Sequence, residues 1–246
     1  MTSPSSEPMP TCPDSVVQEH AAMQDMARAA MESARASLRP GQSLHELRRL
    51  GEDALRELGA DSFWYWGIGA FVFAGEDTVL SVSGREYRTP EHILGESELI
   101  TVDLSPQRRG IWGDFARTLV LEDGVPLADA RESRRGEWSD AVAVEHALHD
   151  ELLRIAQPDM TFEALAHAMN SRIAAHGFEN LDFRGNLGHS IARESSARIY
   201  LELGNRARLD SVELFTVEPH IRPLGGRFGV KHENIYRFVD GTLSAL

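Results

Sequence analysis

Glu98-Leu99-Ile100-Thr101-Val102-Asp103 and Glu213-Leu214-Phe215-Thr216-Val217-Glu218 say nearly the same thing 115 residues apart. Each is an apolar run rich in the residues that favour strands, and each ends in a carboxylate. A second acid opens the next strand-like run: Asp114 in GDFARTLV (113–120) and Glu233 in HENIYRF (232–238). A duplicated half that brings two carboxylates to the middle of a fold yields four around one point. Four desolvated acids cannot all stay ionised there without cations.

The repeat extends outward from these strands. Residues 38–47 (LRPGQSLHEL) match residues 156–165 (AQPDMTFEAL) at a constant offset of 118, and at that offset Gly59 falls on Gly177. Helix breaker, cap, helix, terminal glycine, strand and acid recur in the same order, which identifies a repeated unit. Two units are too few for a solenoid. They are expected to join into one curved sheet with helices on its outer face and the acids gathered on the inner face.

The remaining elements follow from local pattern. Residues 16–38 carry apolar side chains at helical spacing, stopped by Arg39-Pro40-Gly41. Ser43-Leu44-His45-Glu46 has the form of a capping box and opens a helix that should end near Gly59. Residues 63–82 (FWYWGIGAFVFAGEDTVLSV) read as strands joined by turns. Residues 99–104 and 114–121 read as two more strands, and residues 126–156 as a long helical stretch. His146 and His149 on that stretch have no acid at ligand spacing and read as surface residues.

Composition narrows the function. Lys plus Arg number 25 against 38 Asp plus Glu, a net charge of −13, with no basic run suited to a phosphate backbone. Nucleic acid is therefore excluded as a partner class. No apolar run reaches the roughly 18 residues of a membrane span, and the first residues lack the charged start and apolar core of a signal peptide. The one cysteine, Cys12, excludes an internal disulfide and fits a reducing compartment, so the cytoplasm is the expected location. Residues 1–14 read as a disordered leader on composition, and residues 15–246 as one domain.

Between the acid-bearing segments lies Gly185-Asn186-Leu187-Gly188-His189-Ser190-Ile191. Its glycines let backbone and metal approach the imidazole closely. Asp103, Asp114, His189, Glu218 and Glu233 form an oxygen-rich set with one nitrogen. Such a set suits one or two divalent ions such as Mn, Fe or Co, with Zn also admissible, rather than a closed structural zinc site.

The segments VDLSPQRRGIWGDFARTLV (102–120), NLGHSI (186–191), FTVEPHI (215–221) and GVKHENIYRF (229–238) resemble the metal-binding motifs of the pita-bread metallopeptidases. That superfamily includes methionine aminopeptidase, prolidase, aminopeptidase P and creatinase. The resemblance spans roughly residues 16–240. It implies an α+β pita-bread fold, a pseudo-two-fold repeat with a curved, mainly antiparallel sheet and outer helices. It further implies that Asp103 chelates one metal, that His189 and Glu218 bind a second, and that Asp114 and Glu233 bridge both. A metal-bound hydroxide would then attack the amide or C–N bond of a small substrate, a short peptide, Xaa-Pro-like or creatine-like, with Glu218 as the proton shuttle. A homodimer is compatible with the resemblance.

The resemblance also implies a pair of further histidines that handle the substrate, which active peptidases of the group usually carry. In the loop before Asp103 this chain reads Ser83-Gly84-Arg85-Glu86-Tyr87-Arg88-Thr89, and after His189 it reads Arg193-Glu194-Ser195-Ser196-Ala197. Neither holds a histidine. Arg85, Tyr87 and Arg193 are the substrate-contact candidates that replace them, with Arg88 and Arg198 beside them, and an arginine fork favours an anionic substrate. Trp64, Tyr65 and Trp66 are expected either to wall the pocket or to pack in the core. His220 and His232 flank ligands and are candidates to orient them. Two other readings stay open: a lyase or iron-dependent oxidative enzyme on the same metals, and a binding module that kept the fold without catalysis.

Overall fold

The computed structural model describes residues 14–246. Except for Asp14, the expected leader lies outside the described residues, and so does Cys12. Four helices carry the outer layer: α1 (Asp14–Ala36), α2 (Leu44–Glu57), α3 (Gly136–Ile155) and α4 (Phe162–Ala175). Among the described residues, no helix is long and apolar enough to cross a membrane.

The repeat read from sequence is a structural repeat. The Ser43 hydroxyl accepts from Glu46 N to cap α2, and Thr161 accepts from Ala164 N to cap α4, both at 3.1 Å. Each helix ends ahead of a glycine in the left-handed region, Gly59 at φ +107° and Gly177 at φ +78°. One face of α2 buries Leu44, Leu47 and Leu55, and removing each from water contributes roughly 1.5–3 kcal/mol. The same face of α4 buries Phe162, Leu165, Met169 and Ile173.

Beneath the first helix pair lies a sheet in the order Ala70–Ala74, Glu98–Leu104, Phe115–Glu122, Val125–Pro126, all antiparallel. Alternation divides its faces. Ala70, Val72, Ile100, Val102 and Leu104 join the core under α1 and α2, whereas Phe71, Phe73, Thr101 and Asp103 line a cavity on the other side. The second half supplies Thr242–Ala245, Asn234–Val239 and Phe215–Val217 in one sheet, and Val230–Lys231, His220–Pro223 and Phe178–Asn180 in another.

The halves are stitched together at the middle. Glu233 N donates to Ala116 O at 3.0 Å and Lys231 N to the Thr118 hydroxyl at 2.8 Å. Arg117 reaches across to the Glu233 carbonyl at 2.7 Å. These bonds make the sheets continuous in effect and hold residues 231–233 against the strand that follows Asp114.

Two sequence expectations need correction. Residues 63–82 hold one substantial strand, Ala70–Ala74, a two-residue strand at Ser62–Phe63 and a 3-10 turn at Gly75–Val79. Of the aromatic residues before Ala70, Phe63 ends that short strand, opposite Pro106, whereas Trp64 and Tyr65 line the cavity instead of joining a ladder. The helical stretch expected from residue 126 begins only at Gly136, because Val125–Pro126 pairs with the preceding strand and Asp129 caps a separate short turn.

His149 also differs from its reading as a surface residue. It is 6% exposed, with Nδ1 2.6 Å from the Tyr236 hydroxyl and Nε2 donating to the His232 carbonyl at 3.1 Å. Burial pushes its pKa down from 6.5 to about 3, with Arg117 and the half-buried His146 acting in the same direction. The folded protein keeps the ring neutral while the unfolded chain takes up a proton below pH 6.5. The stability it contributes is therefore whole above pH 6.5 and is lost as the pH falls toward 3, by about 2 kcal/mol at pH 5. In urea denaturation, the advantage of wild type over His149→Gln should shrink by about that amount between pH 7.5 and pH 5.

Candidate metal centre

The strand register delivers the acids in pairs. Leu104 lies opposite Phe115, so Asp103 and Asp114 emerge at the same sheet end. Asn234 lies opposite Val217, which sets Glu233 beside Glu218. Asp103, Asp114 and Glu233 each offer a carboxylate oxygen within 4.8 Å of the others. His189 completes the group, its Nε2 3.4 Å from Asp114 Oδ2 and 3.8 Å from Glu218 Oε1. All five residues that the sequence singled out as ligands are thus brought together.

Local structure fixes Asp114 and His189. Gln24 of α1 is fully buried and clamps the Asp114 backbone, donating to its carbonyl at 2.9 Å and accepting from its N–H at 3.2 Å. His189 sits on an isolated bridge to Tyr200, its N–H donating to the Thr216 hydroxyl at 3.0 Å. Its Nδ1 lies 3.2 Å from the Ser190 carbonyl, a contact that requires the proton on Nδ1 and leaves the Nε2 lone pair facing the acids. Trp64 and Trp112 flank the imidazole, each with its ring centre 5.8 Å away.

The electrostatics are those of a site built around positive charge. Glu233 is 0% exposed, and neither of its carboxylate oxygens has a hydrogen-bond partner among the described residues. Burial, then Asp114 and Glu218, push its pKa well above the ordinary carboxylate range. Burial and Asp103 raise that of Asp114 likewise. Burial lowers His189 to about 4, which keeps the imidazole neutral and able to ligate. An orphaned buried carboxylate, three more acids and a neutral imidazole fit a divalent ion.

Two cations missing from the sequence-derived ligand set stand at the centre. Lys231 Nζ lies 2.6 Å from Asp103 Oδ2, 3.1 Å from Glu218 Oε2 and 4.0 Å from Glu233 Oε2. Burial works against this ammonium, but Asp103, Glu218 and Glu233 outweigh it and hold its pKa well above the lysine norm. Arg198 reaches His189 Nε2 at 3.2 Å and lies over the Trp64 ring at 4.6 Å. Alternation could have found Lys231, since residues 231 and 233 of an extended segment share a face. Nothing local marks Gln24.

Above the acids opens a cavity of about 640 Å³ walled by Trp64, Tyr65, Phe71, Phe73 and Tyr200. The three substrate-contact candidates are not on it. Tyr87 is 3% exposed and packs on Phe71 and Phe73, its hydroxyl accepting from Val72 N at 3.0 Å. Arg85 and Arg193 are exposed and are not among the lining residues. Trp66 is 60% exposed, so of the aromatic trio Trp64 and Tyr65 form the wall. His220 lines the cavity but is bonded through Nε2 to the Thr78 carbonyl at 2.6 Å. His232 lines a different, smaller cavity and stacks on His149.

A family model described as metallopeptidase family M24 matches residues 18–239. The fold is similar to an X-Pro aminopeptidase from Thermotoga maritima (TM-score 0.76, 19% identity), covering 95% of this chain and 60% of that one. It is similar also to a prolidase from Pyrococcus horikoshii (TM-score 0.77, 16% identity, 94% and 61% covered). A methionine aminopeptidase from Thermotoga maritima matches along nearly its whole length (TM-score 0.71, 16% identity, 96% and 97% covered). The chain thus spans about three fifths of the first two and the full extent of the third. Among curated protein sequences none matches. These are pita-bread proteins, and the fold expected from the sequence is the one observed.

Proposed function

The chain belongs to metallopeptidase family M24, and we propose that it is a metal-dependent hydrolase cleaving an amide or C–N bond of a small substrate. The observation that carries this reading is the Glu233 carboxylate, fully buried and without a hydrogen-bond partner among the described residues, beside Asp103 and Asp114, which line the cavity. Asp103, Asp114, His189, Glu218 and Glu233 would hold the metal, which when bound supplies acidified water and polarises the scissile carbonyl.

The chain's own residues then divide the remaining work. Burial, reinforced by Asp114, raises the Glu218 pKa, while Lys231 and His189 hold it back. Lining the cavity beside Asp114 and His189, this carboxyl group is placed to accept and return a proton. The aromatic walls exclude water from the apolar part of a ligand. Arg198 stands where a substrate oxygen would lie. Its NH1 now bonds His189 Nε2, and that nitrogen has a single lone pair, so ligation by His189 frees the guanidinium to turn to a carbonyl or carboxylate.

The test is a screen of dipeptides, N-terminal-Met peptides, Xaa-Pro peptides and small guanidino or amino acids against protein loaded with Mn, Fe, Co or Zn. Turnover should disappear on chelation and return with metal. Arg198→Gln should raise KM for the best carboxylate-bearing substrate by roughly 10- to 100-fold, the loss of one charge-assisted hydrogen bond, with metal content unchanged. Turnover indifferent to chelation would overturn the reading. A second reading, lyase or iron-dependent oxidative chemistry, is favoured by the lining itself: it holds two histidines, and of these His220 is tied to Thr78. Activity requiring iron and oxygen, or releasing an alkene, would select it.

A further inference from the structure

We propose that Lys231 is a tethered cation that takes the place of one metal ion, so that this centre binds a single divalent ion among Asp114, His189, Glu218 and Glu233. The inference rests on the metal centre assigned above and concerns how many ions it holds.

Geometry comes first. The Lys231 ammonium makes its shortest ion pair with Asp103, at 2.6 Å, and its next with Glu218 Oε2, at 3.1 Å. It therefore occupies the Asp103 side of the cluster. The opposite side is left to Asp114, to His189 Nε2, to Glu218 Oε1 and to Glu233, whose oxygens make no hydrogen bond and whose Oε2 is the most distant of the three ammonium contacts, at 4.0 Å. The backbone prevents Lys231 from withdrawing as a loop residue could. Its N–H donates to the Thr118 hydroxyl at 2.8 Å, the same hydroxyl donates to its carbonyl at 3.1 Å, and it pairs with His220 across the strands. Its side chain is only 17% exposed, and that of Asp103 23%.

Charge decides in the same direction. Asp103, Asp114, Glu218 and Glu233 carry four negative charges when ionised. One divalent ion, Lys231 and Arg198 balance them. A second divalent ion would set an ammonium and two metal ions into one desolvated cluster with an excess of positive charge, the arrangement that burial penalises most. Two metals would be accommodated only if the ammonium were absent.

Metal-free protein titrated with Mn²⁺ alone tests this, with bound metal measured by calorimetry and by elemental analysis after gel filtration. Wild type should bind one equivalent, with the six-line EPR spectrum of an isolated Mn²⁺. Lys231→Gln should take up a second equivalent at least tenfold more tightly than wild type does, with the spectrum of an exchange-coupled pair, and Lys231→Arg should remain at one. Two tight equivalents in wild type, or a coupled spectrum from wild type alone, would overturn the proposal whatever the variants do, as would Lys231→Gln staying at one. Binding of no metal by either wild type or Lys231→Gln would overturn the metal centre as well, which separates the failure of this inference from the failure of the one beneath it.

Discussion

Glu233→Gln should make the metal-free protein more stable than wild type at pH 7.5 and should leave it insensitive to metal. The wild-type carboxylate is fully buried with no hydrogen bond to either oxygen among the described residues and only the Lys231 ammonium at 4.0 Å, and a missing hydrogen bond costs about 1–3 kcal/mol per buried polar group and more when charged. An amide of nearly the same shape removes the charge and adds two donors facing Asp114 and its neighbours. A gain of about 1–3 kcal/mol in urea denaturation is expected. Metal distinguishes the two proteins. At a free metal concentration 100 times Kd, wild type should gain about 2.7 kcal/mol, or roughly 5–10 °C in Tm for a chain of this size, while the variant gains nothing. Hydrolysis by the variant should fall to background. A variant that is less stable without metal, yet still responds to it, would show that Glu233 is a structural acid and not a ligand.

The second large effect is expected at Gly188. Its φ of +139° is one that side-chain-bearing residues rarely adopt, and a Cβ there would overlap the Thr216 carbonyl oxygen and stand 2.8 Å from both its carbon and the Thr216 hydroxyl. The segment cannot retreat cheaply. Thr216 N donates to the His189 carbonyl at 2.7 Å and Glu218 N to the Leu187 carbonyl at 2.9 Å, so the methyl group would force apart the two segments that carry His189 and Glu218. Gly188→Ala should cost more than about 3 kcal/mol, combining backbone strain with overpacking, and weaken Mn²⁺ binding at least tenfold. Gly204→Ala is the control. That glycine has φ +90° but open space around it, so the backbone cost of about 1 kcal/mol should stand alone, with metal affinity unchanged. Equal effects from the two replacements would show that the close approach at Thr216 carries no energy.

Much of the fold was legible because its signals are local. Ser43 with Glu46 and Gly59 marked the ends of α2, and Thr161 with Gly177 marked those of α4, since caps and left-handed glycines act within a turn of the helix they terminate. The four acids of the cluster stood out because each lies at or beside the end of a strand whose apolar run is plain, and His189 because glycines lead into it. What misled was composition read without partners. Residues 63–82 have strand-like residues throughout, but a strand exists only where a neighbour pairs with it, and the Glu98–Leu104 ladder extends over Ala70–Ala74 alone. Pro126 to Arg135 looked continuous with α3 although Pro126 pairs back to Leu121.

The substrate-contact candidates show the same limit. Tyr87 stands near the place of an absent histidine in sequence, yet its ring fills a gap against Phe71 and Phe73, and Arg198, farther along its own loop, is the arginine that reaches His189. Which side chain of a loop turns inward depends on the path of that loop over the sheet.

From the order of residues alone came the duplicated unit, its helices, the alternating strands and the five groups able to ligate, because periodicity, capping and repetition are properties of neighbouring residues. Tertiary structure alone decided that Gln24 holds Asp114, that His149 is buried, and that Lys231 and Arg198 set their charges among the acids. These are contacts between segments distant in the chain, fixed by packing and by the mutual neutralisation of charges brought out of water.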